Sequence, residues 1–150
     1  TGNGGRSDYI RGLMNDIHAR IRDVRVASGD YARVLGSGLR LGKTVGIVLD
    51  PPYAANDRHK TYTNDDASVS DQCRDWAVAY ASEQGDRARI VFCGYDGQSD
   101  DEAVLTAAGW TKHAWKTPGG YGSQSDKQGR VNAAREVLWM SPGCLPVSDA

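Results

Sequence analysis

Residues 46–53 read GIVLDPPY, and with Val45 in front they set a five-residue apolar run against an acid, two prolines and an aromatic ring. A continuous apolar run of this length suits a strand covered on both faces of a parallel sheet. The run stops where it must. Proline has no backbone donor and holds φ at about −65°, so Pro51 and Pro52 cannot extend a ladder. In an open α/β sheet, ligands bind at the carboxyl ends of the strands. Asp50 therefore stands at such an end, with a stiff turn behind it and Tyr53 held alongside.

These residues bring three groups to one spot: the Asp50 carboxylate, the Pro51 carbonyl and the face of Tyr53. Both oxygens accept hydrogen bonds, and a planar base with an exocyclic amine offers one proton to each. The base would stack on Tyr53, worth about 1–3 kcal/mol for stacked bases. Such an amine is a weak nucleophile because its lone pair is delocalised into the ring. Two acceptors draw it toward tetrahedral geometry and stabilise the positive charge that develops on nitrogen.

Working outward, the rest of the chain reads as an α/β alternation. Ile10, Leu13, Met14, Ile17 and Ile21 recur at helical spacing, which gives a helix with one apolar, packing face and Ser7 as its N-cap. Val24 and Val26 alternate with Arg25 as a short strand ending at Gly29-Asp30-Tyr31, followed by a helical turn over 31–35. After the strand at 45–49, residues 54–67 are polar and form a long loop. A helix covers 68–84, a strand 89–93 and a helix 100–107. A strand covers 110–115, a Gly-rich loop follows, and a last strand covers 135–141 ahead of the tail PGCLPVSDA. The fold class is a three-layer α/β domain with a mostly parallel sheet, its final two strands antiparallel because no helix joins them.

Composition narrows the function classes. A chain of 150 residues with 39% hydrophobic and 25% charged content suits one globular domain with a real core. It holds no apolar run near the length of a membrane span, and TGNGGRSDY is not a signal peptide. The net charge of −1 argues against a surface that grips nucleic acid all round, but the basic residues cluster. Arg58, His59 and Lys60 follow the opening motif. Lys112, His113, Lys116, Lys127, Arg130 and Arg135 share a later Gly-rich region that holds only two acids, Asp126 and Glu136. Cys73, Cys93 and Cys144 are widely spaced and read as reduced thiols of a cytoplasmic protein, with no CxxC pair and no zinc signal. His18, His59 and His113 lack a nucleophile-elbow context, which argues against a serine or cysteine hydrolase.

The stretch VLDPPY resembles the catalytic motif of amino-methyltransferases that use S-adenosylmethionine, and most closely that of DNA adenine N6-methyltransferases of the Dam-like, phage and prophage type. GDY at 29–31 resembles the acid–aromatic motif of that family, ARIVFCGY at 88–95 the strand after its catalytic helix, and GGYG at 119–122 with REVLW at 135–139 its C-terminal hairpin. The resemblance implies a Rossmann-like methyltransferase fold. It assigns Asp50 and the Pro51 carbonyl to the target amine, Pro52 to the turn and Tyr53 to stacking on a flipped adenine. It gives Asp30 and Tyr31, with Asp50, to the cofactor. It places Arg58, His59 and Lys60 near the DNA backbone, with Tyr62 as a further stacking contact, and makes Lys116, Lys127 and Arg130 a second phosphate-binding set.

The family's glycine-rich cofactor motif and its target-recognition region have no counterpart in these residues. The resemblance, which runs from Ser28 on, therefore covers the C-terminal part of a catalytic domain. The expectation is a chain inactive by itself, which works with an N-terminal half or by self-association on double-stranded DNA. Two other readings remain at this stage: a guanine N2-methyltransferase acting on RNA, and a non-catalytic DNA-binding or assembly remnant.

Overall fold

The computed structural model describes residues 4–24, 26–31, 33, 43–52, 68–97, 100–114 and 135–147. The chain divides into two compact units, Thr1–Arg40 and Leu41–Ala150.

In the first unit the described helix is α1, Gly4–Ile21. It starts three residues before Ser7, which lies inside the helix and is not its cap. The apolar stripe expected to pack is open instead: Ile10, Leu13, Met14, Ile17 and Ile21 are between 42% and 60% exposed. The strand expected at 24–26 does not form. Val24 and Val26 are in no strand, and Val26 is 94% exposed. Alternation over three residues is too short to hold an extended conformation without a ladder partner. Asp30 and Tyr31 follow, and the amide of Arg33 donates to the Asp30 carbonyl at 3.2 Å, which closes a short turn.

The second unit carries a four-stranded sheet. Its elements are β1 (Val45–Leu49), α2 (Val69–Gln84), a 3-10 turn (Gly85–Arg87), β2 (Ala88–Tyr95), α3 (Asp101–Ala107), β3 (Thr111–Ala114) and β4 (Glu136–Met140). The strand order is β1-β2-β4-β3. β1 and β2 run parallel, with Ile47 level with Ile90 and Leu49 with Phe92. β4 runs antiparallel to both β2 and β3, pairing Trp139 with Phe92 and with Lys112. The sheet is thus mixed, with one parallel pair and two antiparallel pairs, and is not mostly parallel as the alternation suggested. The reason is topological. β4 enters between β2 and β3, and it antiparallels both neighbours.

Strand alternation sends Ile47, Leu49, Ala88, Ile90, Phe92, Val137 and Trp139 to one face, where all are buried. α2 closes over this face with Cys73, Ala77 and Ala81 buried beneath it, and α3 adds Leu105. Gly109, at φ +78°, lets the chain leave α3, and the Trp110 amide returns to the Leu105 carbonyl at 2.9 Å. The opposite face carries Val48, which is 71% exposed, and the half-buried Val91, Cys93, Leu138 and Met140. The described elements of this unit therefore build two layers, where three were expected.

Beyond β4 the tail is stapled to β2. The Ser141 amide donates to the Ile90 carbonyl at 2.9 Å, and the Ser141 hydroxyl accepts from the Ile90 amide at 2.9 Å and donates to the Ala88 carbonyl at 3.2 Å. The Cys144 thiol also donates to the Ile90 carbonyl, at 3.4 Å. Cys73, Cys93 and Cys144 form no disulfide, and Cys73 lies in the core.

Candidate functional site

Asp50 and Pro51 leave the carboxyl end of β1, at the edge of the sheet. Asp50 is exposed, while Pro51 is buried and Pro52 half-buried. The prolines thus root the turn in the protein and leave the carboxylate in solvent. Among the described residues, none donates a hydrogen bond to the Asp50 carboxylate. Tyr53 lies outside the described residues, as do Arg58, His59, Lys60, Tyr62, Lys116, Lys127 and Arg130.

The register defines what stands beside Asp50. Leu49 is level with Phe92, so Asp50 comes level with Cys93 on the face opposite the helices. Cys93 pairs with Leu138, which pairs with His113, and Tyr95 pairs with Glu136 in the next row. The Cys93 thiol is pushed up to about 11, first by burial and then by the carboxylates of Asp50 and Glu136. At neutral pH it is an uncharged S–H group at the foot of the motif.

Of the basic residues that the structure describes in the later cluster, Lys112 and Arg135 are engaged within the fold. Lys112 donates to Asp96 at 2.5 Å and to Glu102 at 3.1 Å, and its ammonium lies 5.6 Å from the Trp139 ring centre. Those hydrogen bonds hold the lysine above its ordinary range and the Asp96 carboxyl below its own. Arg135 donates from Nε and Nη2 to the Asp96 carbonyl, both at 3.2 Å, with its guanidinium 5.5 Å from the Tyr95 ring centre. Lys112 and Arg135 therefore clamp the β2–β4 end of the sheet.

A second charged cluster went unseen in the sequence. Arg74 of α2 is buried and reaches four carboxylates: Asp71 at 3.1 Å, Asp75 at 3.0 Å, Asp100 at 2.6 Å and Asp101 at 2.8 Å. Burial opposes its charge, but the hydrogen bonds to Asp101 and Asp75 and the surrounding acids hold its proton more tightly than usual. Asp101 is itself buried, and burial raises its carboxyl while Arg74 pulls it back. Asp71, Asp100 and Asp101 lie close enough together to suggest a cation site. The guanidinium already occupies that role, and the cluster is a staple between α2 and α3. The sequence signal was two acid-rich stretches, SDQCRD at 70–75 and SDDE at 99–102, which set Arg74 and Asp100 26 residues apart.

A shallow cavity of about 250 Å³ opens between Thr111, His113, Met140, Pro142 and the tail at Leu145–Val147. It lies at the sheet end away from Asp50, because Thr111 begins β3 and Met140 ends β4. Among the described residues, no helix is long and apolar enough to cross a membrane. Compared with protein-family models, with curated proteins and with solved structures, the chain matches none.

Proposed function

We propose that this chain is the catalytic part of a DNA adenine N6-methyltransferase using S-adenosylmethionine. The observation that carries the reading is Asp50: a solvent-facing carboxylate at a strand's carboxyl end, rooted by a buried proline and not consumed by any described donor. The Asp50 carboxylate and the Pro51 carbonyl are both acceptors, which suits an amine with two protons. Asp50 takes one N6 proton in a hydrogen bond and the Pro51 carbonyl takes the other. Together they hold the nitrogen lone pair out of conjugation and stabilise the charge that builds on nitrogen. The Tyr53 ring covers the adenine, which has left the duplex because N6 is inaccessible in the stack.

The antiparallel β3–β4 pair beside β2 also supports the reading, since the resemblance placed a hairpin there. Asp30 and Tyr31, an acid followed by a ring, have the chemistry to hold the cofactor's adenine by its amino edge and its face. When bound, S-adenosylmethionine supplies an electrophilic methyl group. Arg58, His59, Lys60, Tyr62, Lys116, Lys127 and Arg130 are the proposed contacts to the DNA.

The test is transfer of a labelled methyl group to adenine in duplex DNA by the native protein, with Asp50→Asn as control. Transfer lost by about a hundredfold or more in the variant, as for removal of one preorganised group at a reacting centre, is the expected result. Binding of DNA with no binding of S-adenosylmethionine by calorimetry would identify a non-catalytic remnant, and methylation of RNA guanine in place of DNA adenine would overturn the substrate.

A further inference from the structure

Cys93 is the side chain of β2 that comes level with Asp50, on the same face of the sheet, and the proposed mechanism does not use it. It is half-buried, whereas the carboxylate beside it is exposed. Its other neighbours on this face are Leu138 in its own row, His113 beyond it, and Tyr95 and Glu136 in the row above. Arg135 stacks on Tyr95, and Arg89 lies further down the same strand face. Of these charged groups, Asp50 and Glu136 act on the thiol, and both favour its neutral form.

A group in this position decides how much of the Asp50 carboxylate is left for a ligand. A lysine would neutralise it. A hydroxyl or amide would bind it firmly and compete with an incoming amine. A thiol is a weak hydrogen-bond donor and, while protonated, carries no charge. We propose that Cys93 is a positioning residue for Asp50: a neutral, weakly donating neighbour that keeps both carboxylate oxygens available to the substrate amine. The inference rests on the methyl-transfer reading for its role, but the pairing of the two side chains is tested independently.

The experiment has two parts, both on the native protein. The first measures the pH dependence of Cys93 alkylation by iodoacetamide, with the modified site read by peptide mass spectrometry to separate it from Cys73 and Cys144. The thiol reacts only as thiolate. In Asp50→Asn the midpoint falls, and the rate at pH 9 rises about threefold or more. An unmoved midpoint overturns the pairing. The second part compares Cys93→Ala and Cys93→Ser in methyl transfer to DNA. Alanine, which cannot donate, keeps kcat within about threefold. Serine, a stronger donor, lowers kcat about tenfold with KM for DNA unchanged. A merely structural role gives the reverse order, because serine conserves shape and alanine leaves a gap, and that order overturns the proposal. Absence of methyl transfer from the wild type with the alkylation shift intact overturns the methyl-transfer reading and the role built on it, while leaving the Asp50–Cys93 pairing in place.

Discussion

Replacing Arg74 by alanine should destabilise the second unit more than any surface change. The side chains of Arg74 and Asp101 are 6% and 4% exposed, so neither charge has water to fall back on. Asp75 and Asp100 are 66% and 64% exposed, and each of those pairs contributes about 1 kcal/mol or less. The large loss is at Asp101. Removing one partner of a buried ion pair costs about 3–5 kcal/mol, because the other charge is left uncompensated. At a urea slope of about 2 kcal/mol per M, the midpoint moves down by about 1.5–2.5 M. Fluorescence of the buried Trp110 and Trp139 reports the transition.

The pH dependence adds a sign. The folded Asp101 carboxyl already sits above its unfolded value, chiefly through burial. Such a group favours folding most at pH values below its unfolded pKa, and that contribution is lost as pH rises through the folded value. Without Arg74 the folded value climbs further, so the loss extends to higher pH. The R74A variant should therefore regain stability as the pH falls below neutral, and R74A/D101N should show no such gain. The double variant should also recover about 2 kcal/mol or more relative to R74A. A Cm for R74A within about 0.5 M of wild type, or no rescue by D101N, refutes the buried-pair account.

Gly143→Ala should destabilise by about 1–3 kcal/mol, because a Cβ there would meet the Ala88 carbonyl oxygen at 2.5 Å and the Gly85 carbonyl oxygen at 3.1 Å; thermal melting checks it, and an unchanged Tm contradicts the close packing of the tail. Ser141→Ala should cost about 1–3 kcal/mol, since it strips the Ile90 amide of its buried acceptor; Ser141→Thr, which keeps the hydroxyl, should lose less in the same denaturation assay.

Much of the second unit was legible residue by residue. VGIVL, ARIVFCGY and REVLW are short apolar runs bounded by turn formers, and each became a strand within a residue or two of its expected ends. The helix expected at 68–84 from the spacing of Val69, Cys73, Trp76, Ala77 and Tyr80 forms over Val69–Gln84, with Cys73, Ala77 and Ala81 as its buried apolar residues. What was not legible depended on partners distant in sequence. Arg74 looks like one more charge on an amphipathic helix, and only folding brings Asp100 and Asp101 to it. The segment PGCLPVSDA reads as a loose tail, yet Ser141 and Cys144 satisfy the backbone of Ala88 and Ile90. Parallel character was overestimated because a continuous apolar strand signals burial more directly than direction. Asp50 stands out in the sequence because two prolines after an acid are a local mark. The thiol beside it does not, because strand register is a property of pairs.

Among the described residues, β1 sits at one edge of the sheet and is laddered to β2 alone. Peeling β1 away would break one ladder and leave β2, β4 and β3 joined. Local opening of this kind requires less free energy than global unfolding and shows in amide hydrogen exchange. The amides of β1 should then exchange faster than those of β2, even where both are hydrogen-bonded. Prolines stiffen the turn that carries Asp50, while the strand beneath it is an edge strand of the sheet. The motif therefore combines a rigid tip with a releasable root, and any second ladder laid along the free edge of β1 would fix Asp50 in place as surely as a mutation could loosen it.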